Sequence, residues 1–277
     1  MIGVSYRNAF RLLTGVFAAC CIATASLSAA QAQESTLDKV KARGVLNAGV
    51  RSDAPPFGYI DENGHHVGFE VDTVKYIGQK LGVKVNLITV TSATRIPLLQ
   101  SGQIDLAAAA MNITREREKA IDFSVPHVVV SGKILVKKGS GIQGLDDLKG
   151  KKIAFLQGSP STAMERVKAS TGSEIVTLPD TTQAAQAVLQ GKVAALIMDS
   201  APLYVLAKNN PGKFEVVGEV WPAAPEGIGM RQNDSEWRDA VNFALIDMWN
   251  DGTYKKIYTQ YFGVDPDPSF IIYPWQI

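Results

Sequence analysis

The chain is poor in cysteine: Cys20 and Cys21 are the only two among 277 residues. Both fall in an apolar N-terminal stretch, so the remainder is free of disulfide and thiol chemistry. Histidine is almost as scarce, with three residues. The His65-His66 pair stands in a turn without further ligands at useful spacing, which argues against a metal centre. Charge of one sign is not in excess, with 28 basic and 27 acidic residues. That balance lacks the electrostatic footprint of a nucleic-acid or membrane-surface binder, and aromatic–basic interleaving is missing as well. H-E-x-x-H, G-x-S-x-G and S-x-x-K do not occur. The glycines at 139–144 lack the Gly-Lys-Ser/Thr ending of a phosphate loop. No cofactor is expected. Beyond the N-terminus no apolar run is long enough to span a bilayer.

What is present begins with an export signal. Arg7 and Arg11 form a basic start, residues 12–27 are apolar and small, and Ala30-Gln31-Ala32 is an A-x-A site. Residues 1–32 therefore read as a signal peptide, with a mature chain starting at Gln33. Phe17-Ala18-Ala19-Cys20 only loosely matches a lipoprotein signal, so a lipid anchor at Cys20 is not the expectation. Removing the segment takes away two basic residues and no acidic one, which leaves a slight acidic excess. The length that remains is enough for two domains of ordinary size.

Strands and helices alternate in short units. Strands are expected at 45–50, 83–90 and 104–110, helices at 69–81 and 94–100. Val71, Val74, Ile77 and Leu81 share one helical face, and Gly82 stops that helix. This βαβ order implies a parallel sheet with helices on its faces. The plan then repeats: strands at 127–137, 151–156, 174–178, 193–198, 214–217 and 227–231, helices at 162–169, 181–190 and 201–209, and two final helices at 234–250 and 253–261. Two α/β lobes result. Extended segments at 129–137 and 222–230 are candidates for two strands crossing between them. The first lobe is expected to be discontinuous, with 33–131 and 226–277, and the second to hold 132–225.

Open α/β sheets take ligands at the carboxyl ends of their strands. The polar residues there are Arg51, Ser52 and Asp53; Ser92, Thr94 and Arg95; Asn112, Thr114 and Arg117; residues 157–162; and Asp199-Ser200. Thr114 suits a helix N-cap, which puts Arg117 at the third helical position. A cation there is unfavourable by itself and favourable once an anion binds. The local alternatives are plain. Arg51 and Arg95 suit ion pairs with Asp53 or Asp105, Ser159, Ser161 and Asp199 suit helix caps, and Phe57, Tyr59 and Phe69 suit the core.

Seven short segments then carry a resemblance: Pro55-Pro56-Phe57, Val67-Gly68-Phe69-Glu70-Val71-Asp72, Ile96-Pro97-Leu98-Leu99-Gln100-Ser101-Gly102, Asn112-Ile113-Thr114-Arg115-Glu116-Arg117, Ile121-Asp122-Phe123-Ser124, Leu145-Asp146-Asp147-Leu148-Lys149-Gly150 and Asp251-Gly252-Thr253-Tyr254. In this order they resemble the periplasmic solute-binding proteins of polar amino-acid ABC transporters, over essentially the whole mature chain. The resemblance implies a two-lobed flytrap fold of the type II kind. It also implies a monomer in the periplasm that hands a small-molecule amino acid to a membrane permease, with no nucleic-acid partner and no enzymatic turnover. Arg117, helped by Asn112, looks like the clamp for the ligand α-carboxylate, and Asp199 like the receiver of the ammonium. Ser159 and Ser161 match the second-lobe loop, and Phe69 an aromatic that packs on the ligand. Arg51 stands where many members have Asp, and Ala54 where many have an aromatic. Together with Arg95 in Thr91-Ser92-Ala93-Thr94-Arg95, this is similar to the glutamate/aspartate-binding branch, in which two cations meet the side-chain carboxylate. Ser92, Ala110 and Thr181 complete the expected ligand-binding set. Pro160 replaces a frequent Thr, which weakens the match of the second-lobe contacts. Two alternatives remain on this scaffold. One is a binder of another polar amino acid such as glutamine. The other is an exported enzyme like cyclohexadienyl dehydratase, which needs an unpaired cleft carboxylate beyond Asp199; Asp53 and Glu226 stand nearest.

Overall fold

The computed structural model describes residues 34–272. The expected signal peptide, its cleavage site and Cys20 lie outside the described residues. Among the described residues no helix is long and apolar enough to cross a membrane.

Two five-stranded sheets organise the chain. The first contains β1 (Val45–Val50), β5 (Lys84–Thr89), β6 (Leu106–Ala108), β7 (Asp122–Phe123) and β13 (Gly229–Met230), in the order β5-β1-β6-β13-β7. The second contains β8 (Val128–Lys137), β9 (Lys152–Leu156), β10 (Glu174–Leu178), β11 (Ala195–Asp199) and β12 (Phe214–Glu226), in the order β10-β9-β11-β8-β12. A small sheet of β2 (Asp53–Ala54), β3 (Gly58–Ile60) and β4 (His66–Val67) folds about the turn at Asp61-Glu62-Asn63-Gly64. The parallel expectation holds for β5-β1-β6 and for β10-β9-β11. It fails for the others, because β13, β8 and β12 carry the chain back between lobes and pair antiparallel.

Helices cover the sheets as the pattern predicts. Helix α1 (Thr36–Arg43) is an addition; its low hydropathy hides it, and Ser35 Oγ caps it by accepting from Leu37 N–H. Helix α2 (Phe69–Leu81) buries Val71, Val74 and Ile77, and Gly82 ends it at φ +70°. Then follow α3 (Arg95–Gln100), α4 (Ser161–Thr171), α5 (Thr181–Leu189), α6 (Ser200–Asn209), α7 (Ser235–Asn250) and α8 (Thr253–Phe262). The last two return to the first sheet. Asp234 accepts from Trp237 N–H of α7 and from Thr36 N–H of α1, and the Trp237 indole donates to Asp105 O at 3.0 Å. Trp237, Leu245, Met248 and Tyr254 share one core with Val74, Ile77 and Leu106.

Strand β8 begins in that core at Val128 and ends among Ile134, Leu135 and Val136 in the second lobe. Its partner β12 is one continuous strand where the sequence suggests two segments. Register shifts around Trp221 absorb the irregularity. Pro222 and Pro225 are tolerated because β12 is the edge strand and the missing N–H groups break no second ladder.

Candidate functional site

A cavity of about 350 Å³ opens between the lobes, at the carboxyl ends of β1, β6, β9 and β11 and along β12. Its floor is Ala110, whose φ of +51° is unusual for a residue with a side chain. Such a backbone costs on the order of 1–2 kcal/mol and is held on both sides. Ala110 N–H donates to Glu70 Oε2 at 2.8 Å, and Ala110 O accepts from Arg95 Nη1 at 2.8 Å. The turn aims the carbonyls of Ala109 and Ala110 at one guanidinium, which is buried and lines the cavity.

Arg117 is the second buried guanidinium on the wall. It donates through Nη1 to Asn112 O at 2.8 Å and, across the cleft, through Nη2 to Gly158 O at 3.1 Å. The expected charged helix is a single 3-10 turn, Arg117–Lys119. Thr114 Oγ1 does accept from Arg117 N–H at 3.2 Å. One turn lacks the length for a helix dipole, so the anion-favouring character of this corner comes from the guanidinium. Among the described residues neither Arg95 nor Arg117 forms an ion pair with a carboxylate. Burial and the neighbouring guanidiniums lower the pKa of Arg95, and burial lowers that of Arg117.

Arg51 lies in the same wall and is held differently. Asp53 grips it with two hydrogen bonds of 2.8 Å, and its Nη1 donates to Ser92 Oγ at 2.6 Å. The pair with Asp53 that the local reading allowed is therefore present, and the charge of Arg51 is compensated. Asp53 also accepts from Thr181 N–H at 2.9 Å, at the start of α5 in the other lobe. Burial works to raise the Asp53 pKa, but Arg51 and the Thr181 amide outweigh it and hold the carboxyl below its ordinary value.

Facing these cations, Asp199 accepts from Asn112 Nδ2 at 3.2 Å, again across the cleft. Burial raises its pKa against the pull of Asn112 and the arginines. Glu226, at the end of β12, is fully buried, and neither carboxylate oxygen has a partner among the described residues. Burial, then Asp199 and Glu70, push its carboxyl well above the ordinary range.

The opposite rim closes through backbone. Gly158 has φ +81°, and a Cβ there would stand 2.1 Å from Ser92 O. Only glycine permits this approach of the lobes. Beside it, Glu116 accepts from the N–H groups of Ser161 and Thr162 at 3.2 and 3.4 Å, at the start of α4.

Of the expected ligand residues, Arg51, Ser92, Arg95, Ala110, Asn112, Arg117, Ser159 and Asp199 line the cavity together. Ser161 and Thr181 stand outside it; as first residues of α4 and α5 they give their N–H groups to Glu116 and Asp53. Phe69 is a correction. Its ring is wholly buried, stacked on His127 at 5.8 Å and edge-on to Tyr254, Tyr258 and Phe262. Position 69 opens α2, and its side chain falls on the core face. One aromatic that does line the cavity is Trp221, which lies over Gly132 of β8 so closely that a Cβ there would be 2.1 Å from the indole. Phe155 and the exposed Arg166 also line the cavity. Sequence reading missed these residues because they belong to β9, α4 and β12 of the second lobe, which are distant in sequence and share the cleft face only once that lobe is folded.

A family described as bacterial extracellular solute-binding proteins, family 3, matches residues 46–264. An ABC transporter glutamine-binding protein, GlnH of Bacillus subtilis, is 34% identical over 241 residues, 85% of this chain and 88% of that protein. The L-glutamate/L-aspartate-binding protein of Pseudomonas aeruginosa is 32% identical over 240 residues, 82% of this chain and 80% of that protein. Among solved structures, an ancestral amino acid-binding protein described as a precursor of cyclohexadienyl dehydratase superposes with a TM-score of 0.75 at 36% identity, covering 82% of this chain and all of that one.

Proposed function

Because the chain belongs to the bacterial extracellular solute-binding proteins of family 3, we propose that it captures an acidic L-amino acid, glutamate or aspartate, and delivers it to the permease of an ABC transporter. The observation that carries the ligand class is the pair Arg95 and Arg117. These are two buried guanidiniums on one cavity wall that, among the described residues, hold only main-chain carbonyls. Each offers remaining N–H groups to an anion, and a charge-assisted hydrogen bond contributes roughly 1.5–3 kcal/mol. Arg117 takes the α-carboxylate, Arg95 the side-chain carboxylate and Asp199 the ammonium. Arg51, with its charge answered by Asp53, shapes the side-chain end and contributes less to selectivity than its place in the sequence suggests. Trp221 closes over the aliphatic part of the ligand. Binding adds contacts between lobes already joined through Arg117, Asn112, Asp53 and Glu116, and so stabilises the closed form that docks on the permease.

A thermal-shift screen against the standard L-amino acids tests this. The largest stabilisation is expected from glutamate or aspartate. Glutamine as the best ligand would move the reading to the amide, and a basic or apolar best ligand would overturn it. A second reading, a dehydratase-type enzyme, is favoured by one feature, the unpartnered Glu226 carboxyl. It predicts release of carbon dioxide and water from prephenate or arogenate. The binding reading predicts no turnover, and Glu226 lies behind Ala224 and Pro225 of the cavity wall rather than in it.

A further inference from the structure

Among the described residues, Glu226 is the one buried carboxylate near the cleft whose oxygens are both left without a partner. Its main chain is firmly placed. Glu226 O accepts from His127 N–H at 3.0 Å, its Cα pairs with Val128 of β8, and it bridges Asn112 on the other side. Its surroundings are charged from several directions: Asp199 from the end of β11, Glu70 from α2, Arg95 from α3 and Arg117 from the 3-10 turn. Glu70 has partners of its own in His127 Nε2 at 3.2 Å and Ala110 N–H at 2.8 Å. Asp199 has Asn112. A carboxylate ligand brought into this group adds negative charge beside three acids. The acid least able to keep its own charge is the one without hydrogen bonds to stabilise it.

We propose that Glu226 matches the charge of the cleft to that of its ligand: its carboxyl holds a proton whenever an anionic amino acid occupies the cavity, and an ionised Glu226 disfavours that ligand relative to its uncharged amide. This rests on the acidic-ligand reading and adds a specificity device that acts from behind the cavity wall. Linkage then ties ligand affinity to pH. Glutamate binding weakens as pH rises through the titration of Glu226, by up to about tenfold per unit, and glutamine binding does not follow.

The test is calorimetric titration of wild type and Glu226→Gln with L-glutamate and L-glutamine from pH 6 to 8.5, where both ligands keep their ammonium. Wild type is expected to lose at least about tenfold in glutamate affinity over that range and less than about threefold for glutamine. Glu226→Gln is expected to bind glutamate within about threefold at all pH values. A wild-type glutamate affinity that is flat with pH overturns the proposal alone. So does an undiminished slope in Glu226→Gln, which would assign the titration to another group. Failure of wild type to bind glutamate at pH 6 overturns the acidic-ligand reading and this proposal with it. Should the variant not fold, the protons taken up by wild type, measured in buffers of unequal ionisation enthalpy, decide. Uptake approaching one proton per glutamate supports the proposal, and no uptake overturns it.

Discussion

One cleft wall holds its arginines in two opposite ways. Arg51 is gripped by Asp53, which in turn accepts the first amide of α5 from the other lobe. Arg95 and Arg117 are also buried, yet their partners are the carbonyls of Ala109, Ala110, Asn112 and Gly158. A carbonyl orients a guanidinium without cancelling its charge, whereas a carboxylate does both. The Arg51–Asp53 pair is therefore built as a joint between lobes, and Arg95 with Arg117 as a receiver for anions. Counting arginines along a sheet edge does not separate these roles; the identity of each one's partner does.

The comparison is broken most severely at Arg117. Arg117→Ala removes two oriented donors and the bond to Gly158, and is expected to weaken every amino-acid ligand by at least about 100-fold, near 3 kcal/mol. Calorimetry with glutamate and glutamine checks that both fall together. Gly158→Ala attacks closure without touching a charge. With φ at +81° and Ser92 O in the way, it is expected to cost about tenfold or more for all ligands, with small-angle scattering reporting a more open molecule. Asp53→Asn weakens the joint, and a loss of a few-fold, equal for glutamate and glutamine, is expected.

The smaller effects concern pH. Asp53 has a folded pKa below its unfolded value of 3.8. Its contribution is present above that value and is lost as pH falls through the lower folded one. Glu226 is the reverse case, raised from an ordinary 4.5. Its contribution is complete below that value and is lost as pH rises through the folded one. Ligand-free Glu226→Gln should therefore gain melting temperature relative to wild type as pH is raised above 4.5, and differential scanning calorimetry reads the difference.

Much of this was legible in the residues. The periodicity of Val71, Val74 and Ile77 with the Gly82 stop, the alternation of strands and helices, and the gathering of Arg95, Asn112, Arg117 and Asp199 at strand ends all follow from local patterns and the sheet rule. Other features depend on contacts distant in sequence. Phe69 is indistinguishable from a cleft aromatic until α8 returns to cover it. Trp221 needs Gly132, and Glu226 needs Asp199 and Glu70, before either has a role. Arg51 and Asp53 are two residues apart, and their pairing was open to local reading. What was not readable is that the same carboxylate also reaches Thr181.

The contrast between the paired Arg51 and the carbonyl-held Arg95 is tested most directly by the ratio of glutamate to glutamine affinity in Arg95→Gln and in Arg51→Ala, measured by calorimetry at pH 6. The account predicts that Arg95→Gln lowers that ratio by at least about tenfold while Arg51→Ala leaves it within about threefold. The opposite pattern, with selectivity lost at Arg51 and kept without Arg95, would contradict it.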